Sequence, residues 1–242
     1  MKKTWPFLLG LLLIPALGFA QAAGGTAPAD SSASGQKTVE EKQLQSGVEI
    51  MVISSLVSEN DRGGKVKALS LIRDMIDKKK ASDKTPDVVD LLGELGAEGT
   101  SKQVIENRRL INDFPEVRRE AAELLGQIGG SQSRELLINI ALQDKEPMVV
   151  AEAVYSLGEI GSGDQAARVE GTITNLVKAQ DAVRPDSNFA FAAAAALEML
   201  GKKNGGKVSP EVFAALIRIQ NGNYIRPVRE KAKQVLDGFT QY

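Results

Sequence analysis

Part of the chain repeats itself at a spacing of 32 residues, and no other feature limits the fold as strongly. Pro115-Glu116-Val117-Arg118-Arg119-Glu120-Ala121-Ala122-Glu123-Leu124-Leu125-Gly126-Gln127-Ile128-Gly129 lies in register over Pro147-Met148-Val149-Val150-Ala151-Glu152-Ala153-Val154-Tyr155-Ser156-Leu157-Gly158-Glu159-Ile160-Gly161. Pro, Val, Ala, Leu, Gly, Ile and Gly recur at the same places. A fixed period of a few tens of residues marks a solenoid, a propeller or an array of small units. Weaker copies flank the pair. Val88 to Gly96 repeats the second half of the unit 33 residues upstream, and Phe189 to Gly201 follows Val149 to Gly161 by 40, so about eight extra residues fall between Ser162 and Ser187. Pro227-Val228-Arg229-Glu230-Lys231-Ala232 with Leu236 restores the pattern near the C-terminus, and Lys67-Ala68 with Leu71-Ile72 reads as a degenerate first copy.

The physical chemistry of one unit follows from its residues. Pro115 and Pro147 stand where a helix begins, because the first turn has no use for the missing N–H. Val, Ala and Leu at i, i+4 and i+8 lay one apolar stripe along that helix, and the central Ala lets a neighbour come close. Gly126, Gly129, Gly158 and Gly161 read as the residues that end it. Arg134 to Leu142 forms a second helix, closed by Gln143-Asp144-Lys145-Glu146. Such a hairpin cannot bury its apolar faces alone and must stack on its neighbours. Ala, Leu, Glu, Gly and Lys dominate and aromatics are 5%, which favours closely packed helices over a β-sandwich.

The pattern P-x-V-R-x-x-A-x-x-x-L-G-x-I-G resembles the short HEAT repeat, the form also seen in the phycobilisome-lyase-like group. It is clearest at residues 113–161 and extends over about 60–240. The resemblance implies an all-α fold, an α-solenoid or right-handed superhelix of stacked helical hairpins, whose surfaces serve partners. It also implies a ladder in which an Asp in the turn and the Arg after the Val pair between units. Asp113, Arg118 and Arg229 match, while Val150 departs from the Arg and breaks the ladder there. A tetratricopeptide array has a similar period but lacks its W-x-x-L-G-x-x-Y signature here. Residues 40–58 read as an N-terminal helix covering the first repeat.

The N-terminus has the form of a secretory signal. Lys2 and Lys3 precede an apolar run from Trp5 to Phe19, and Ala20 and Ala22 offer a small-x-small cleavage site. The sequence thus divides into a signal peptide at 1–22, a flexible linker at 23–38 and a repeat domain at 39–242, with the mature chain expected in the periplasm or secreted. Pro6 and Pro15 interrupt the run, which argues against an uncleaved anchor, so no stable membrane span is expected after cleavage. Removing the two lysines leaves a net charge of −3, and nucleic acid is not an expected partner.

Two zeros bound the chemistry: the chain has neither cysteine nor histidine. That excludes a Ser-His-Asp triad, an imidazole base, a thiolate nucleophile and His or Cys metal sites. Paired carboxylates, a Ser-Lys pair or an oxygen-ligated cation remain possible in principle. Gly201-Lys202-Lys203-Asn204-Gly205-Gly206-Lys207 matches a phosphate-binding loop, but Val208 replaces the required Ser/Thr and a helix precedes it instead of a strand. Ser34-Gly35-Gln36-Lys37 matches S-x-x-K but lies in the linker. No catalytic residue, metal or cofactor is therefore expected.

Charge is unevenly spread: residues 113–170 carry a net −6 and residues 201–242 a net +5. These would steer a partner, or a second copy head to tail. The sequence predicts an exported, non-catalytic scaffold that binds a protein or peptide, with Arg118, Glu152, Tyr155, Arg226 and Arg229 as the partner-binding residues. A lyase-like or chromophore-handling protein is the alternative that the resemblance raises, and a nucleic-acid-binding solenoid a weaker one. The Ser162–Ser187 insertion is expected either on a binding face or as a longer surface helix, and the placement of Tyr155, Phe189, Phe191, Phe213 and Tyr224 is left open between core and binding face.

Overall fold

The computed structural model describes residues 38–240. The expected signal peptide, and all of the linker but Thr38, lie outside the described residues. Within them, ten helices account for nearly all regular structure: α1 (Val39–Ser58), α2 (Arg62–Asp77), α3 (Pro86–Gly96), α4 (Pro115–Ile128), α5 (Gly130–Gln143), α6 (Pro147–Ile160), α7 (Ala166–Val183), α8 (Ser187–Lys203), α9 (Pro210–Asn221) and α10 (Arg226–Phe239). One short hairpin joins α3 to α4, formed by β1 (Ile105–Glu106) and β2 (Arg109–Leu110).

The helices alternate between two layers. α2, α4, α6, α8 and α10 pack side by side in order, and α1, α3, α5, α7 and α9 form the second layer against them. This is the all-α solenoid of stacked hairpins that the repeat dictates. Pro86, Pro115, Pro147 and Pro210 open their helices, where no N–H is required. In the first layer the central alanines Ala68, Ala121, Ala153, Ala193 and Ala232 are all fully buried, so a small residue sits at every closest approach. α1 packs on α2 and α3 and covers the first repeat, as expected.

Three features correct the sequence expectations or decide between them. Val88 to Gly96 is α3, which packs with α1 and α5 in the second layer, so its likeness to the α4 type of helix is not structural equivalence. An apolar stripe says which residues point inward, and both layers need one. The true first copy is α2, with Lys65 in the Arg118 position and Ala68 and Ile72 buried. Secondly, the glycines divide by role. Gly129 and Gly161 cap α4 and α6 with φ of 74° and 85°, whereas Gly126 and Gly158 lie inside those helices as packing residues. A Cβ on Gly158 would stand 2.6 Å from the Ala196 backbone. Thirdly, the extra residues after Ser162 lengthen α7 to 18 residues, which is the surface-helix option.

The hairpin had no sequence signal. Asn107 and Arg108 take left-handed φ of 49° and 64°, as a two-residue turn between right-twisted strands requires. Its base is pinned by Asn112, fully buried, which donates from Nδ2 to Glu98 Oε2 (2.7 Å) and to the Lys102 carbonyl (2.6 Å) and accepts the Val104 N–H (2.8 Å).

Candidate functional site

Buried charge comes first, since it decides which of the expected residues are free to act. Arg118 is 2% exposed; its Nε donates to Asp144 (2.6 Å), and its NH1 to Asp113 (2.7 Å) and to the Glu98 carbonyl (3.1 Å). The Asp113–Arg118 ladder therefore forms and extends to the next turn through Asp144. Expectation placed Arg118 among partner-binding residues, and the structure corrects this: the guanidinium is spent inside the fold, tying α4 to two inter-helix turns. Burial works against the charged form, but both aspartates oppose it and hold the Arg118 pKa above its ordinary value. Lys65 does the same one repeat earlier, donating to Glu98 (2.9 Å) and to the Val57 carbonyl (2.9 Å). At Val150 the ladder is interrupted, as expected. Arg229 lies exposed on α10, and Tyr224 occupies the place five residues before it where Asp113 precedes Arg118, so the predicted ladder match at Arg229 has no turn aspartate on that side.

The first layer carries a groove of about 430 Å³ where α6, α8 and α10 run side by side. α6 contributes Met148, Ala151, Glu152 and Tyr155, one helical face at i, i+3, i+4 and i+7. α8 contributes Asn188, Phe191 and Ala192, and the start of α10 adds Ile225, Pro227 and Val228. Met148, Tyr155, Phe191 and Ile225 remain 52%, 38%, 45% and 60% exposed. The alanine-rich α8 can lie this close to α6 because Gly158 has no Cβ, which would stand 2.6 Å from the Ala196 Cα and 2.8 Å from Met199. Asp186 accepts the Phe189 N–H (2.8 Å) and fixes the start of α8, while Ser187 Oγ accepts the Ile225 N–H (3.4 Å) and ties α10 to it.

Glu152 is the groove's carboxylate. Burial raises its proton affinity first, Glu123 and Glu159 add to this, and Arg119 at 3.6 Å opposes it. Other carboxylates of the layer are better matched. Glu120 and Glu123 share Arg73 (3.1 and 3.0 Å), Glu116 pairs with Arg62, and Glu198 is held below the ordinary carboxylate range by Lys202 and Lys231 despite partial burial.

Of the five expected residues, the fold thus brings Glu152 and Tyr155 into one groove. Arg226 stands at its rim between Ile225 and Pro227, exposed and paired with Glu230 (2.6 Å). Arg118 is buried and Arg229 lies outside the lining. The open aromatics are also placed. Phe189 and Tyr224 are core, Phe213 packs edge-on against Phe239 with centroids 5.9 Å apart, and Tyr155 and Phe191 face the groove. Sequence reasoning missed Met148 and Ile225 as surface groups and left Phe191 open between core and binding face. The offset of 40 held one signal, since it sets Phe191 over Ala151 and so beside Glu152.

The glycine- and lysine-rich turn after α8 is structural: Lys203 donates to the Glu159 carbonyl and Asn204 accepts from Ser162 (3.2 Å). Among the described residues no group of three or more acidic side chains is placed to hold a metal ion, and no helix is long and apolar enough to cross a membrane.

These features define the class, an all-α solenoid of stacked helical hairpins. A family model described as HEAT repeats matches residues 103–175. No curated protein matches the sequence. Among solved structures, the fold is similar to a chain in the complex of CpcE and CpcF of phycocyanin lyase from Nostoc sp. PCC7120, with 17% identity and a TM-score of 0.54, over 90% of this chain and 71% of that one. This likeness overturns the expectation that a chain of this kind has no enzymatic role.

Proposed function

We propose that this protein is a lyase-related HEAT-repeat protein that holds a largely apolar ligand group in the α6–α8–α10 groove and works together with a protein partner. The observation that carries this reading is the clustering of exposed Met148, Tyr155, Phe191 and Ile225 around Glu152 in one groove. Its support is the likeness of the fold to a phycocyanin lyase complex composed of two named proteins. Ligand sites are concave, mostly apolar and carry few polar groups, and this groove has that make-up. The residue pattern at 1–22 supports a periplasmic or secreted setting for this work, as part of the same proposal.

The neutral aromatic dye Nile red tests the groove. Native protein is expected to bind it about tenfold more tightly than the Tyr155→Ala/Phe191→Ala double variant, in line with the loss of two partly buried aromatic contacts. Both residues are partly exposed, so the variant should keep its helical circular dichroism. Equal binding by the two folded proteins would refute the reading.

A further inference from the structure

We infer that the occupant of the α6–α8–α10 groove is a helical segment of a partner protein, presenting apolar side chains and, among them, one lysine or arginine that meets Glu152. The inference rests on the reading of this groove as a ligand site and adds the chemistry of what fills it. The first argument is charge. Along the layer most neighbouring carboxylates have a cation in contact: Glu116 has Arg62, Glu120 and Glu123 have Arg73, Glu198 has Lys202 and Lys231, and Glu230 has Arg226. Glu152 has Arg119 at 3.6 Å, too far for a hydrogen bond, and two carboxylates in its field. A half-buried, under-compensated anion beside apolar side chains attracts a cation strongly once water is displaced, because the local dielectric is low.

The second argument is backbone chemistry. All three walls are helices, whose main-chain groups beyond the first turn are satisfied internally, and no sheet edge borders the groove. An extended peptide would lose water from its own N–H and C=O groups and find no strand edge to pair them in a ladder. A helix brings its hydrogen bonds with it and offers side chains at i, i+3 and i+4 to an apolar groove, which is an established mode of recognition. Met148, Tyr155, Phe191 and Ile225 supply the apolar contacts, and Glu152 fixes orientation and register through a single charge.

The test uses the full chain and three fluorescein-labelled helical peptides that are identical, with leucines on one face, except for one central residue: lysine, norleucine or glutamate. Fluorescence anisotropy on native protein is expected to show the lysine peptide binding about tenfold more tightly than the norleucine peptide, and the glutamate peptide weakest. On Glu152→Gln the lysine advantage should fall to within about twofold, while the norleucine peptide keeps or gains affinity. Tyr155→Ala/Phe191→Ala should lose all three. If the double variant loses all three but lysine has no advantage, or keeps it on Glu152→Gln, the cation inference is overturned and the groove reading stands. If the double variant binds like native protein, the groove reading itself fails. Absence of binding by any peptide, or sedimentation showing that the native chain dimerises and the double variant does not, overturns the helical partner, the latter in favour of a second copy.

Discussion

At the scale of single residues, charges in this protein divide into those that hold the fold and those left to act outside it. Arg118 and Asp144 are both buried, so removing the guanidinium strands a carboxylate away from water. Arg118→Ala is expected to cost about 3–5 kcal/mol in denaturant unfolding, far more than loss of an exposed pair such as Arg226–Glu230. Glu152 behaves in the opposite sense. Its folded pKa lies above the ordinary value, so as pH rises through the carboxylate range the unfolded chain releases this proton first, and stability falls. Glu152→Gln should then be more stable than the native protein at neutral pH, with the gap closing below the ordinary glutamate range. A native protein that stays more stable at neutral pH would contradict this. Glu116 and Glu198 are shifted downward and act the other way in the same window, so the comparison must be between variant and native at each pH. The resemblance implied that Arg118 pairs with a turn aspartate, yet it was also expected to bind a partner alongside Glu152; only the fold shows Asp144, 26 residues on, turning back to close it in.

At the scale of elements, helix boundaries were legible because prolines and terminal glycines leave local chemical marks. Roles inside a helix were not. Gly126 and Gly158 look like caps in sequence, yet each faces a neighbouring helix, and Gly158 sits against the backbone of α8. Gly158→Ala is expected to push α6 from α8 and destabilise by about 1–3 kcal/mol. Gly171, inside α7 with open space around it, offers the control: Gly171→Ala should stabilise by about 0.5–1 kcal/mol, because alanine loses less backbone freedom. Thermal melts of the two variants shifting in the same direction would overturn this distinction. The β1–β2 hairpin escaped notice for a related reason. Two-residue strands have no periodicity to read, and their anchor, Asn112, is an ordinary polar residue until burial gives it Glu98 as a partner.

At the scale of the whole molecule, the acidic stretch 113–170 falls on α4 to the start of α7, and the basic stretch 201–242 on the end of α8 through α10. If these attract between copies, self-association seen by sedimentation at about 50 mM salt should weaken steeply by about 500 mM, as screening shortens the reach of exposed charge. A monomer at both ionic strengths would rule this out. The repeat alone established that the described chain is a stack of helical hairpins, because a helix with one apolar stripe and a period of 32 has no other way to bury it. Which charges are internal, which glycines are contacts and where an apolar groove opens depended on the packing of α6, α8 and α10. Those properties belong to pairs of side chains on different helices, and an interaction that exists only once two surfaces meet leaves no mark on either segment by itself.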